Sequence, residues 1–181
     1  MLSRPVAILA LMVLLSAGTL ACGGAPTPIT TLSGEAVSGR LAIQVHGVEL
    51  AERLVYEEGG QTYTLALAPG RRIAAVEATV TNPSAEASLL VIGAESATME
   101  DRQNNRYTIL DPRAQREVTP GATAPQYYTP WLWGPFSLRR GFGVRGWIFF
   151  DVPEGLQLQS FSGLYWSSLD SMSVPLVPKR R

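Results

Sequence analysis

The two residue types best suited to nucleophilic or metal chemistry each occur once in this chain, as His46 and Cys22. A Ser-His-acid or Cys-His mechanism would have to use His46 as its base. His46 stands at the end of a predicted strand, and no acidic or nucleophilic residue accompanies it in a recognisable motif. A zinc site would need several histidine or cysteine ligands. We therefore predict a structural histidine, no zinc site and no enzymatic activity.

Acidic residues could supply oxygen ligands for calcium at three places, 57–58, 100–101 and 151–154. The best candidate is Glu100-Asp101, because Asn104 and Asn105 follow closely. None of the three has the spacing of a known calcium loop, and adjacent acids usually mark solvated turns. The prediction is therefore that the protein holds no metal ion.

Three glycines, Gly141, Gly143 and Gly146, have the spacing of a dinucleotide-binding fingerprint. That fingerprint works only where the glycines lie between a strand and a helix whose N-terminus meets the pyrophosphate. Here they precede a predicted strand, so they indicate a turn, and we predict no cofactor.

The segment 126–136 holds five aromatic side chains in eleven residues, within an irregular connection over 111–137. Such long connections are commonly functional or disordered. One interpretation is an exposed surface for a protein or a glycan, formed by Tyr127, Trp131, Trp133, Phe136, Arg139 and Arg140. The other, which we favour, is that the rings fold down and close the open end of the domain.

The N-terminus has the three parts of an export signal over residues 1–21. Arg4 supplies a positive charge, Val6–Leu15 is apolar, and small residues lead to Cys22. The ending Thr-Leu-Ala-Cys resembles the bacterial lipobox, which implies a diacylglyceryl group on the Cys22 thiol and often a further acyl chain such as palmitate. A plain cleaved signal, or an uncleaved anchor helix over 5–21, remains an alternative.

The composition limits the remaining classes of function. The 181 residues carry fifteen basic and fifteen acidic side chains, so net charge gives no basic footprint for nucleic acid. Thirteen prolines and seventeen glycines indicate many turns. The Gly/Pro/Thr/Ser-rich stretch 22–39 is predicted to be a flexible tether, the domain to cover 40–178, and 179–181 to be a basic tail.

Short runs of period two dominate the domain and predict seven to nine strands. Their turn signals favour an all-β, antiparallel, immunoglobulin-like β-sandwich. The runs cover 41–48, 61–67, 73–81, 89–92, 97–99, 107–110, 144–152, 156–161 and 171–177.

The order of these motifs resembles a known family. Val76–Ser84, Met99-Glu100-Asp101, Arg106-Tyr107 and Gly146–Pro153 are similar to the telokin-like, immunoglobulin-type domain of bacterial secreted proteins and lipoproteins, which is related to a mycobacterial immunogenic antigen. The resemblance covers about 40–177, and the stretch 111–137 is longer than the usual connection. It implies a β-sandwich in the cell envelope and no catalytic residues.

Together these patterns predict a membrane-anchored, extracytoplasmic lipoprotein that acts as a non-catalytic binding module. The alternative is a module that binds cell-wall or surface glycans through the aromatic segment. The expected contacts are the membrane, through the lipid, and a protein or glycan partner.

Overall fold

A computed structural model describes residues 31–84, 86–114, 116–122 and 128–179. Within these ranges the chain forms fourteen strands and one short 3-10 helix, Leu158–Ser160. The strands are β1 (Thr31–Val37), β2 (Ala42–Ala51), β3 (Arg53–Glu58), β4 (Gln61–Ala66), β5 (Arg71–Thr81), β6 (Ser88–Ile92), β7 (Ala97–Asp101), β8 (Arg106–Thr108), β9 (Arg116–Val118), β10 (Gly134–Leu138), β11 (Gly143–Pro153), β12 (Phe161–Trp166), β13 (Met172–Pro175) and β14 (Val177–Lys179).

Two antiparallel sheets form the body of the domain. One has the order β11-β5-β2-β1-β14, and the other has the order β13-β12-β7-β8. The pair β10-β6 contributes further to the main core. Strands β5 and β11 are paired over their whole length, from Arg71 opposite Pro153 to Thr81 opposite Gly143. This confirms the predicted antiparallel β-sandwich.

The main hydrophobic core lies between the two sheets. Val76 and Val80 of β5, with Ile148 and Phe150 of β11, face Trp166 and other residues of the opposite sheet. Trp166 is completely buried. Burying an apolar side chain of this kind contributes about 2 kcal/mol to the free energy of folding. The alternation of apolar residues along each strand therefore decides which face of the strand is turned to the core.

A third layer covers the outer face of β5 and β11. The small sheet β3-β4-β9 contributes Leu54 and Leu65 to a second cluster, which also contains Ile73, Ala75 and Phe149. Strands β5 and β11 are therefore apolar on both faces. This explains why buried residues run without interruption from Ile73 to Val76, where strict alternation had been predicted.

Several predicted boundaries differ from the structure. Residues 31–37 belong to the predicted tether but form β1, because Gly34–Val37 pair with β2. Lys179 belongs to β14 and pairs with Thr31 instead of lying in a solvated tail. In the predicted strand 156–161, residues 156–157 are irregular and Leu158–Ser160 form the 3-10 helix, and the strand β12 begins at Phe161. The described part of the chain has more strands than predicted, because β1, β3, β9 and β10 were missed and the predicted strand 171–177 is divided between β13 and β14.

Candidate functional site

The aromatic segment folds onto the body of the domain. Tyr128 is buried, with its ring 4.9 Å from that of Trp147 in an edge-to-face contact. Trp131 meets Tyr56 edge to face at 4.5 Å. Both residues belong to or pack against the second cluster, so this half of the segment is part of the third layer.

The rest of the segment packs on the opposite side of the same sheet. Trp133 and Phe136 are partly buried against the main core. The indoles of Trp131 and Trp133 therefore contact different clusters and do not form one exposed platform. Of the predicted aromatic surface, Tyr127 lies outside the described residues. Trp131, Trp133 and Phe136 are each half-buried, whereas Arg139 and Arg140 are exposed.

Gly146 explains how the segment approaches β11 so closely. A Cβ atom at this position would lie 2.4 Å from the carbonyl oxygen of Pro130. The Trp147 N–H donates to that carbonyl, and the Leu132 N–H donates to the carbonyl of Trp147, both at 2.9 Å. The last glycine of the fingerprint-like motif thus serves packing, and the motif leads into β11 and not into a helix.

Two arginines pack on aromatic rings at the surface of the third layer. Arg113 lies 5.5 Å from the Trp131 ring centre, and Arg116 lies 4.3 Å from that of Tyr63. Both form salt bridges with Glu58. Hydrogen bonds from Arg116 and Arg113 hold the pKa of Glu58 below its usual value. The cations are thus engaged by aromatic rings and one carboxylate within the fold.

His46 occupies a β-bulge inside β2, not the end of a strand. The register with β5 shifts between Val45 and Gly47, which leaves His46 as the extra residue. Its Nε2 is hydrogen-bonded to Thr79 Oγ1 at 2.7 Å. Partial burial, and then the charge of Arg145, lower the pKa of His46. Because His46 is an extra residue, Val45 and Val48 both face the core although they are three residues apart.

Asp101, the best predicted calcium ligand, is buried and fully engaged. Its Oδ1 accepts the backbone N–H groups of Gln103 and Asn105, and its Oδ2 accepts from the Asn105 amide and the Tyr107 hydroxyl. Burial alone would raise the pKa of Asp101, but these hydrogen bonds lower it to about 2. The residue fixes the hairpin β7–β8. The described residues contain no group of three possible metal ligands.

One end of the domain carries the most prominent exposed surface. Val37, Ala42, Thr81 and Gly143 are aligned across four paired strands, which places the turns beside them at the same end. We call this surface the sandwich end and define it by six side chains. They are Val37, Arg40, Leu89, Arg139, Arg140 and Phe142.

Exposed apolar side chains and exposed arginines occur together at the sandwich end. Val37, Leu89 and Phe142 are 73%, 63% and 65% exposed. Arg139 and Arg140 are exposed and form no salt bridge with any residue that the structure describes. The sequence indicated the two arginines but not their apolar neighbours. Val37 and Leu89 lie in β1 and β6 and Phe142 lies in a turn, and no pattern in the sequence shows that their side chains stay uncovered.

A buried asparagine holds the turns of the sandwich end in place. The Asn82 side-chain amide donates to the carbonyls of Glu86 and Leu138, at 2.7 and 2.9 Å. Its backbone pairs with the 139–142 turn, accepting from Gly141 at 2.8 Å and donating to Phe142 at 3.0 Å. Gly141 has φ of 74°, a conformation that glycine adopts readily. The turn is therefore ordered by the fold itself.

Beside this turn lies a cleft of about 550 Å³. Its floor and walls include an arginine, an acid, two serines and two leucines. They are Arg40, Ser84, Glu86, Ser88, Leu89 and Leu169. Leu169 has φ of 66°. A bulky residue in this region is strained by roughly 1–2 kcal/mol, and such strain is concentrated at ligand-binding sites.

Comparison with known proteins supports the fold. No family model and no curated protein sequence matches the chain. The crystal structure of ycdA, a candidate lipoprotein from Bacillus subtilis, aligns with a TM-score of 0.50 and 13% identity, over 80% of this chain and 38% of that one. An uncharacterized β-sandwich protein from Clostridium difficile aligns with a TM-score of 0.43 and 10% identity, over 79% of this chain and 89% of that one.

At 13% identity the similarity to the Bacillus subtilis protein shows a shared fold and nothing finer. The chain spans 38% of the length of that protein. Within the described residues, no helix has the length and apolar character needed to cross a bilayer. The class of the domain is thus an antiparallel β-sandwich, and its residues must supply the argument for function.

Proposed function

We propose that the protein is a lipid-anchored, non-catalytic interaction module of the bacterial cell envelope. The anchor is supported by the lipobox-like ending at Cys22, the only cysteine of the chain. The similarity of the fold to a candidate lipoprotein agrees with it, as does the resemblance to telokin-like domains of secreted proteins. Two acyl chains hold a protein stably at a bilayer where a single chain binds reversibly.

In the proposed arrangement the anchor at Cys22 lies close in sequence to the first strand of the domain. Because β1 begins at Thr31, only eight residues separate it from Cys22. The nine peptide units from Cys22 to Thr31 span at most about 30 Å. In the proposed arrangement the N-terminal end of β1 faces the membrane.

Cys22→Ser is expected to abolish incorporation of labelled fatty acid and to release the protein from the membrane fraction. The physical reason is that the thiol is the acceptor of the diacylglyceryl group. The measurement is fatty-acid labelling with fractionation of the cells. Thr30→Ser should change neither result. Retention of Cys22→Ser in the membrane would instead support an anchor helix.

The interaction role is supported above all by the exposed apolar side chains beside arginines at the sandwich end. Exposed apolar side chains grouped with polar ones are typical of interaction sites. A non-catalytic role is further supported by His46 and Asp101, whose polar atoms are engaged in holding a bulge and a hairpin. The glycan-binding alternative has less support, because Trp131 and Trp133 pack on opposite sides of a sheet.

Photo-crosslinking in the producing cells tests which surface makes contact. A photoreactive side chain at position 142 is expected to give a crosslinked product, whereas one at Val118, also exposed, should not. Products containing glycan from positions 131 and 133 would favour the alternative. A product from position 118 alone would contradict the assignment of the surface.

A further inference from the structure

We propose that the sandwich end recognises a protein segment that combines acidic and apolar side chains. This inference rests on the proposed interaction role and specifies its partner. It is carried by the charge and exposure of the surface, by the hydrogen bonds that hold its turns in place, and by its position relative to the N-terminal end of β1.

The charge of the surface is positive although the whole chain is neutral. Five salt bridges elsewhere engage acids with arginines, and none of them includes Arg40, Arg139 or Arg140. Nearby acids offset this only in part. Glu86 lines the cleft. Asp170 accepts the Arg40 backbone N–H at 3.3 Å and also interacts electrostatically with Arg40, so the three arginines of the surface exceed these two acids by one. Carboxylates on a partner would complement the remaining cations.

The apolar half of the surface narrows the choice of partner. Binding is favoured by the apolar side chains only where an apolar group covers them, at roughly 25 cal/mol per Å² of surface removed from water. These side chains are Phe142, Leu89 and Val37. A purely polyanionic polymer offers no such groups. A protein segment with alternating acidic and apolar side chains provides both, and the cleft beside Leu89 has room for one of its side chains.

The geometry of the chain argues against the bilayer as the occupant. Thr31 and Val37 are at opposite ends of β1, and the six residue steps between them cover about 20 Å. For the sandwich end to touch the membrane that holds Cys22, the connecting residues would have to run back along the domain. That path would use most of their reach of about 30 Å.

Hydrogen bonds within the domain hold the turns of this surface in place. Asn82 is fully buried, and its side chain and backbone form hydrogen bonds with Glu86, Leu138, Gly141 and Phe142. Binding to an ordered surface avoids part of the entropic cost of association. This favours recognition through side chains already in place.

The test is selection of random twelve-residue peptides on the full-length protein. Selected peptides are expected to be enriched in Asp and Glu together with Leu, Phe, Tyr or Trp. Their affinity should fall at least tenfold for Arg139→Glu/Arg140→Glu and for Phe142→Ser, and it should weaken as salt rises. Matched controls are Arg53→Glu/Arg102→Glu, with the same change in charge, and Val118→Ser. Both controls should keep full affinity, and thermal melting should confirm that all four variants fold.

Three outcomes would overturn the proposal. Selected peptides could lack acidic residues, they could bind the sandwich-end variants as well as the parent, or phosphatidylglycerol vesicles could bind with the same dependence on Arg139, Arg140 and Phe142. Peptides that bind at another surface would refute this inference while leaving an interaction module in place. Failure of the envelope location would be seen separately, as a lack of lipid on Cys22.

Discussion

Replacing Asp101 with alanine is expected to lower the free energy of unfolding by about 3 kcal/mol. The carboxylate is 1% exposed and accepts four hydrogen bonds, from Gln103, from Asn105 twice and from Tyr107. Its removal leaves the Tyr107 hydroxyl and the hairpin N–H groups without their acceptor, and each buried unsatisfied group costs about 1–3 kcal/mol. Chemical denaturation would measure the loss.

Glu100→Ala provides the matched control one residue away. Glu100 forms a salt bridge with Arg106, whose side chain is mostly exposed. Such pairs contribute at most about 1 kcal/mol, so this variant should remain close to the parent. Equal losses for the two variants would contradict the structural role given to Asp101.

The same hairpin should make stability depend on pH. The folded-state pKa of Asp101 is about 2, below its usual 3.8, so its contribution is complete above pH 4 and disappears as pH falls toward 2. Burial, and then the bond to Asp101, raise the pKa of Tyr107 to about 12. Its contribution is complete below pH 10 and is lost as pH rises toward 12. In Asp101→Asn the acid-side loss should be smaller, and an unchanged curve would refute this assignment.

Gly146→Val should detach the segment 130–132 from β11. The new Cβ would lie 2.4 Å from the Pro130 carbonyl oxygen, and the obstacle is backbone, which cannot rotate away. The hydrogen bonds that join Trp147 to Pro130 and Leu132 would break. Tyr128 and Trp131 would then no longer pack against the second cluster. We expect a loss of about 2–4 kcal/mol and a red shift of tryptophan fluorescence.

Gly155→Ala is the control for this second variant. A Cβ atom at Gly155 meets nothing within 4 Å, so stability and fluorescence should remain those of the parent. If Gly146→Val kept the parent's fluorescence, the aromatic segment would not depend on close approach to β11. A loss of stability in Gly146→Val alone would therefore show that the third layer depends on this close approach, and would not be explained by glycine replacement in general.

The strands with strong alternation could be predicted from the sequence. Leu41, Ile43 and Val45 all lie in the core, as do Ile148, Phe150 and Val152. Period-two patterning encodes which face of a strand is buried, so these segments specify their own structure and orientation. The same reasoning missed β1, because Thr-Leu-Ser-Gly resembles a linker until β2 and β14 pair with it.

The site was predictable only in part. The residue types suggested an absence of catalytic machinery, and the lipobox-like ending, which lies outside the described residues, remains a prediction. The aromatic segment posed a choice that its composition could not settle, because tryptophan suits a binding surface and a core equally well.

By itself, then, the sequence determined that this is an all-β domain with alternating strands, because local periodicity records burial. Only the tertiary structure decided that Trp131 and Trp133 pack on opposite sides of one sheet, and that Leu89 and Phe142 remain exposed beside Arg139. The physical reason is that exposure depends on which distant segments cover a residue. The third layer over β5 and β11 comes from the small sheet β3-β4-β9 and from residues 128–131, and the residue pattern of β5 and β11 does not show which segments cover their outer faces.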